Sequence, residues 1–304
     1  VTDSLPLACF GKLPWFGDFL GAGVSQPTAL ALKELMLEGK AEMADESDHG
    51  YRDRPIESSV RILFGLPGSR ELLVGVLRPS RDSHPRNFPF LAFTHLPRRA
   101  YGRHFALLPL ALGPLWDALD DAWTSLYGAA SRAEFEELVE SAELPPVADA
   151  KATRGDYQGR LGEDASRMFR GLPGASPAHL SRNLSELVRE LRKTSGSGLG
   201  IKLPVTADLA ESGFDVSVWV DLVNRQFRLR RFEPSVFLDA RSGASERWVV
   251  LHFGTPGPAD YLGIVSPPGD ERFLRPAHPA RDAAVEGSSD CKQIAYADVL
   301  QGGS

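Results

Sequence analysis

The side chains with the widest chemical repertoire fall on one short polar loop, Arg78-Pro79-Ser80-Arg81-Asp82-Ser83-His84-Pro85-Arg86-Asn87-Phe88-Pro89. A carboxylate, an imidazole and a hydroxyl are the parts of a hydrolytic set. Asp82, His84 and either Ser80 or Ser83 supply them here, with Asp18 as a further carboxylate. A working triad, however, converges from separate elements onto a fixed oxyanion hole, and these residues share one loop. Their other use is architectural. Asp82 and Arg86 stand four residues apart in a proline-containing loop, where an ion pair fixes the shape; if exposed, such a pair is worth about 0–1 kcal/mol.

A second segment, Phe10-Gly11-Lys12-Leu13-Pro14-Trp15-Phe16-Gly17-Asp18-Phe19, is too rich in glycine and aromatics for a plain strand. Its glycines flank Lys12 and the Trp15-Phe16 pair and permit close backbone approach or positive φ. It is either a shaped loop presenting Lys12 or Asp18, or a strand that tucks its aromatics under a sheet. Both segments are constrained, so they are expected to lie together, with Arg86 or Arg81 neutralising Asp18.

Other chemistry finds little support. Gly196-Ser197-Gly198-Leu199-Gly200 follows a helical pattern and leads into a strand, whereas a phosphate loop follows a strand and opens a helix. There is no G-x-S-x-G or H-E-x-x-H string. The seven histidines (His49, His84, His95, His104, His179, His252, His278) are scattered, and the two cysteines, Cys9 and Cys291, form no CxxC. Neither a disulfide framework nor a zinc site is expected. The expectation is therefore no catalytic residue, no metal and no cofactor, with an enzyme using the Asp18, Asp82 and His84 loops as the rival reading.

Composition bounds the partners. A net charge of −6 and a pI near 5.7 give no basic field to recruit nucleic acid or anionic lipid. With 42% hydrophobic residues in 304 there is ample material for a core. The most apolar stretch, Phe105 to Trp116, is too short to span a bilayer and is broken by Pro109 and Pro114. No secretory leader is visible at Val1 to Phe10, so a cytoplasmic protein without membrane insertion is expected.

The elements that must position the loops follow from periodicity. Ser25-Gln26-Pro27 starts a helix carrying Leu32, Leu35, Met36 and Met43. Strands are predicted over Ser59–Leu66, half-buried by its alternation, over Leu72–Leu77, and over Phe88–Leu96, where Pro89 pushes the start to an edge. Trp116, Leu119, Trp123 and Leu126 make a helical stripe, and Ser131 to Glu134 fits a capping box. Glu143 to about Gly162 lacks apolar periodicity and is taken as a connector. Beyond it come a helix from Ser176, an alternating strand through Phe214, Val216, Val218, Val220 and Leu222, a turn at Asn224-Arg225 into a strand over Gln226–Phe232, and a strand over Trp248–Phe253.

The fold class is α+β, with two αβ halves, each a mostly antiparallel sheet packed by helices. The boundaries are 1–145, a connector at 146–165, a C-terminal half at 166–266 and a loosely ordered tail at 267–304. Gly11-Lys12-Leu13-Pro14 recurs as Ile201-Lys202-Leu203-Pro204, and Phe64 to Gly68 recurs as Phe253 to Gly257. Strings this short recur by chance, so they do not establish a duplication.

The string GKLP-x-x-GDF at Gly11 to Phe19, followed by PS-x-D-x-x-x-R-x-FP at Pro79 to Pro89, resembles the N-terminal signature of the TagF/ImpM family. The stretch from Val218-Trp219 through Glu233 to Phe237 and on to His252–Pro256 is similar to the family's C-terminal part. Arg81 stands where an apolar residue is common in the family and Pro85 where glycine is. The resemblance implies a non-enzymatic accessory protein of a bacterial type VI secretion system, a post-translational brake whose partner is a forkhead-associated (FHA) domain scaffold. On that reading Lys12, Trp15, Phe16, Asp18, Ser80, Asp82 and Arg86 are the expected partner-binding residues.

Overall fold

The computed structural model describes residues 4–45, 59–84, 86–101, 104–162, 199–206, 208–227, 233–244, 247–265 and 275–276. Strands β1 (Leu5–Pro6), β2 (Ala8–Gly11) and β3 (Leu20–Ala22) precede helix α1 (Pro27–Asp45). A meander of β4 (Val60–Phe64), β5 (Glu71–Arg78) and β6 (Phe90–Pro97) follows. Helices α2 (Arg98–Tyr101), α3 (Leu108–Ala111), α4 (Gly113–Gly128) and α5 (Arg132–Ser141) lead to β7 (Glu143–Leu144) and α6 (Ala150–Arg160). The rest comprises β8 (Leu199–Val205), α7 (Leu209–Phe227), β9 (Ser235–Asp239), β10 (Arg247–Phe253), α8 (Pro258–Val265) and β11 (Arg275–Pro276).

The class is α+β, but the expected two sheets are one. Nine strands run in the order β11-β8-β10-β9-β4-β5-β6-β2-β3, and β1 and β7 pair separately. All the pairings are antiparallel except β11 with β8. The seam between the halves is β4 against β9, with Val60 opposite Asp239 and Leu63 opposite Val236. Edge strands present unpaired backbone groups, and joining β4 to β9 removes one such edge from each half.

Strand side chains alternate between the two faces. Leu63, Val74, Val76, Val236 and Leu251 join one core with α4 and α7. Ile62, Phe64, Leu73, Phe93 and Phe237 join another with α1 and α8. Helices therefore cover both faces, which is why β4 is buried at all five residues rather than half-buried. On the second face Gly39 of α1 lets α8 approach: a Cβ there would lie 2.3 Å from that of Tyr261.

Several sequence expectations change. Phe214 to Leu222 is not a strand but the middle of α7, and Phe214, Val216, Ser217, Val218, Trp219, Val220 and Leu222 are all buried. A helix buried all round has no polar face to reveal its 3.6 period, and its β-branched valines mimic strand alternation. The turn at Asn224-Arg225 also lies inside this helix. Part of the connector is ordered: Asp149 caps α6 by accepting from the N–H groups of Lys151 and Ala152. Helix α8 carried no expectation at all. The helix from Ser176, the glycines at 196–198, residues 228–232 and the tail apart from 275–276 lie outside the described residues. No helix among the described residues is long and apolar enough to cross a membrane.

Candidate functional site

The two singled-out segments meet at the β2–β6 side of the sheet. Gly11 ends β2 with φ 147°, and a Cβ there would lie 2.4 Å from the Pro89 carbonyl oxygen. Only glycine allows this approach without displacement. From there Lys12 runs inward and its Nζ donates to Asp82 Oδ2 at 2.8 Å. The Lys12 side chain is 9% exposed and that of Asp82 0%, so the pair is buried.

Asp82 organises both loops. Its Oδ2 also accepts from Arg86 Nε at 2.7 Å, while Oδ1 accepts from the backbone N–H groups of His84 at 2.9 Å and Arg86 at 3.0 Å. Burial alone would push this carboxyl up. The bonds from Lys12, from the backbone of Arg86 and His84 and from the Arg86 guanidinium outweigh it and hold the group well below the usual carboxylate range. The Ser80 hydroxyl donates to the Lys12 carbonyl at 2.6 Å, Ser83 N–H to the Phe16 carbonyl at 3.2 Å, and Arg86 Nη2 to the Gly17 carbonyl at 2.8 Å. Four donors on one carboxylate and three cross-loop bonds clamp the segments together.

The expected proximity of the loops is thus present, with a different acid at its centre. Asp18 is exposed and its Oδ1 accepts from the Phe19 N–H; the carboxylate that receives Lys12 and Arg86 is Asp82. The i,i+4 pair also differs from an exposed one, because Arg86 is 62% exposed but Asp82 is sealed. Lys12, Asp82 and Ser80 face inward and shape the loops. Trp15 and Phe16 are half-buried, and Asp18 and Arg86 reach solvent.

Phe19, Phe10 and Phe88 also belong to the site, though the sequence reading gave them no role there. Phe10 and Phe19 stack at 5.4 Å, Phe88 meets Phe19 edge-on at 4.9 Å, and the Lys12 ammonium lies 4.9 Å from the Phe19 ring. Apolar residues at both ends of two polar loops were the available signal. Trp15 packs against Phe135 at 6.1 Å and ties the first loop to α5.

The hydrolytic arrangement is not assembled in this geometry. Ser83 Oγ lies 3.3 Å from His84 Nδ1, but Asp82 takes the backbone N–H of His84 rather than its ring. Gly17 sits against that ring, with a virtual Cβ 3.1 Å from Cε1. Among the described residues no group of three or more His, Cys, Asp and Glu side chains could hold a metal ion. Cys9 is buried and its thiol is pushed up to about 12 by desolvation. His252 is likewise packed, fully buried with Nε2 3.1 Å from Asp260 Oδ2.

Comparison with known proteins bears on this half of the chain. Residues 8–142 match the TagF N-terminal domain, described as type VI secretion system-associated. No curated protein matches. Among solved structures, PA0076 from Pseudomonas aeruginosa PAO1 matches at 26% identity, over 46% of this chain and 64% of its own, with a TM-score of 0.38. This chain therefore spans a little under two thirds of the length of that protein. The clamped loops at Gly11–Phe19 and Pro79–Pro89 both fall inside residues 8–142, the stretch of this chain that matches the type VI secretion system-associated TagF N-terminal domain.

Proposed function

We propose that the protein is a non-enzymatic, cytoplasmic, post-translational brake on type VI secretion that acts by binding an FHA-domain scaffold through the clamped loops. The observation that carries this reading is the occupied carboxylate of Asp82. Two cations and two backbone N–H groups use it as a structural hub, and a group so engaged holds loops in shape rather than moving protons. What the hub holds is suited to contact: a rigid surface bearing Trp15, Phe16 and the Arg86 guanidinium. Aromatic and arginine side chains dominate interface energetics, and pre-ordered loops lose little entropy on binding. The family match supplies the secretion context, and the resemblance of the loop motifs supplies the partner class.

The test is titrated expression in a strain with an active secretion system, with secreted Hcp-type tube protein as readout. Secretion should fall in proportion to the amount of protein. A Trp15→Ala, Arg86→Ala double variant, checked for folding by circular dichroism, should lose both suppression and co-purification with the scaffold. Secretion that ignores excess protein, or suppression that survives loss of scaffold binding, would sink the proposal.

A further inference from the structure

Strand β3 ends the nine-stranded sheet, so its outer row of backbone N–H and C=O groups has no strand partner among the described residues. Helix α5 flanks that edge through Arg132, Phe135, Glu136, Val139 and Glu140, which share a groove with it. Between them runs a groove of about 400 Å³, bounded by Leu20, Gly21 and Ala22 on one side and by Phe135, Val139 and Glu140 on the other. Phe19, 38% exposed and among the large apolar residues most open to solvent, also lines it. Leu20, Phe135 and Val139 supply its apolar side chains and Glu136 and Glu140 its acidic ones. Glu136 pairs with Arg132 at 2.8 Å, while Glu137 and Glu140 are exposed and meet no cation among the described residues. Two carboxylates, Glu136 and Glu140, and one guanidinium, Arg132, line this wall, and a second hollow of about 480 Å³ continues over Glu136, Glu137 and Glu140.

We propose that this groove docks a basic, extended segment of a partner protein, added to the sheet as a tenth strand beside β3. Main-chain hydrogen bonds to an open edge supply affinity without sequence preference, and alternate side chains supply selectivity. Side chains on one face of a strand repeat about every 6.6 Å. Residues 136 and 140 of a helix are about 6 Å apart along its axis. A strand running alongside α5 thus brings successive inward side chains to successive turns of the helix. Lys or Arg suits both levels there: the aliphatic stem lies over Phe135 and Val139 and the charged head reaches Glu136 and Glu140, with Glu137 in the adjoining hollow. An acidic segment meets repulsion at every second residue. Apart from Phe19, which borders both, the groove stands on observations separate from the loop surface above and needs no FHA partner.

The experiment uses the full chain and a fluorescein-labelled decapeptide of alternating Lys and Val, with its Glu-Val counterpart as control. The basic peptide should bind by anisotropy and the acidic one should not. Glu137→Lys, Glu140→Lys, two exposed changes on the helix surface, should weaken binding at least tenfold. Amide exchange at Leu20–Ala22 should slow when the basic peptide is added. Absence of binding, equal binding of both peptides, binding unaffected by the charge reversal, or unchanged exchange at Leu20–Ala22 would overturn the proposal. Self-association of the free protein that the same double variant abolishes would assign the face to a second copy and overturn it as well.

Discussion

Two aspartates, each 2% exposed, sit in opposite halves of this chain and have been treated differently. Asp82, in the loop pair, receives Lys12, Arg86 and two backbone N–H groups, and its carboxyl is held well below the usual range. Asp215, on α7, has no cation at ion-pair distance among the described residues. It accepts from the Thr206 N–H at 2.6 Å, yet burial still pushes it up to about 6. Desolvation acts on both; the number of donors decides the sign. Asp82 was buried together with its partners, as the hub of a surface the protein presents. Asp215 was buried in the middle of a helix packed into the core, with Ser212 and Ser217 as further buried polar groups.

The largest expected effect comes from emptying the hub. Asp82→Ala leaves the Lys12 ammonium buried without a counter-charge and two backbone N–H groups without an acceptor. Breaking one member out of a buried pair costs about 3–5 kcal/mol, so the variant should lose most of a typical domain's margin in a urea melt. Adding Lys12→Met should recover part of that loss, because the stranded charge is gone. A loss under about 1 kcal/mol would mean that the loops open to solvent and that the contrast with Asp215 is false.

The loop pair was legible in the sequence because its constraints are local and compositional. Glycines around a lysine and an acid four residues before an arginine each limit what the backbone can do. The choice of acid was not legible: Asp18 and Asp82 differ only in which one the sheet carries beneath the loops. Strands β4 to β6 and helices α1, α4 and α5 follow from period and caps, including the Glu134 N–H donating to the Ser131 hydroxyl. Helix α7 hid because burial on every side over residues 214–220 left its central turns without a polar stripe. Its start was nevertheless written, since Asp208 with Glu211 three residues on is a capping pattern, and Asp208 Oδ1 does accept from the Ala210 N–H. The joining of two sheets at β4 and β9 has no local signature, because pairing across about 175 residues is decided by which edges remain uncovered.

The second prediction inverts the first. A carboxyl raised from 3.8 to about 6 on folding makes the folded state bind more protons than the unfolded one in that window. Stability therefore falls as pH rises from about 4 to 6 and stays low above it. A shift of this size corresponds to about 3 kcal/mol at pH 7. Asp215→Asn keeps an oxygen for the Thr206 N–H and removes the charge, so it should stabilise by up to about 3 kcal/mol at neutral pH and by almost nothing near pH 4. Asp82 works the other way: its contribution is complete above the unfolded value of 3.8 and is lost only as pH falls below it. Urea midpoints of both proteins from pH 4 to 7 check this. An Asn variant whose advantage does not grow with pH would show that the Asp215 site is hydrated.

The smallest effect should come from the exposed member of the hub. Arg86 gives Asp82 one bond at 2.7 Å and the Gly17 carbonyl another at 2.8 Å, but its side chain is 62% exposed. Water can replace what it provides to Gly17. Asp82 keeps Lys12 and both backbone donors when Arg86 is truncated, so the buried charge stays compensated. Arg86→Ala should therefore cost about 1 kcal/mol or less, several times below Asp82→Ala although both remove the same ion pair. Its visible consequence should be local: faster amide exchange at Ser83, whose N–H holds the Phe16 carbonyl, with the exchange of β5 and β6 unchanged. If Arg86→Ala matched Asp82→Ala in cost, the hub would be centred on the solvent-facing pair, and Lys12 would be a bystander to a lock made at the surface.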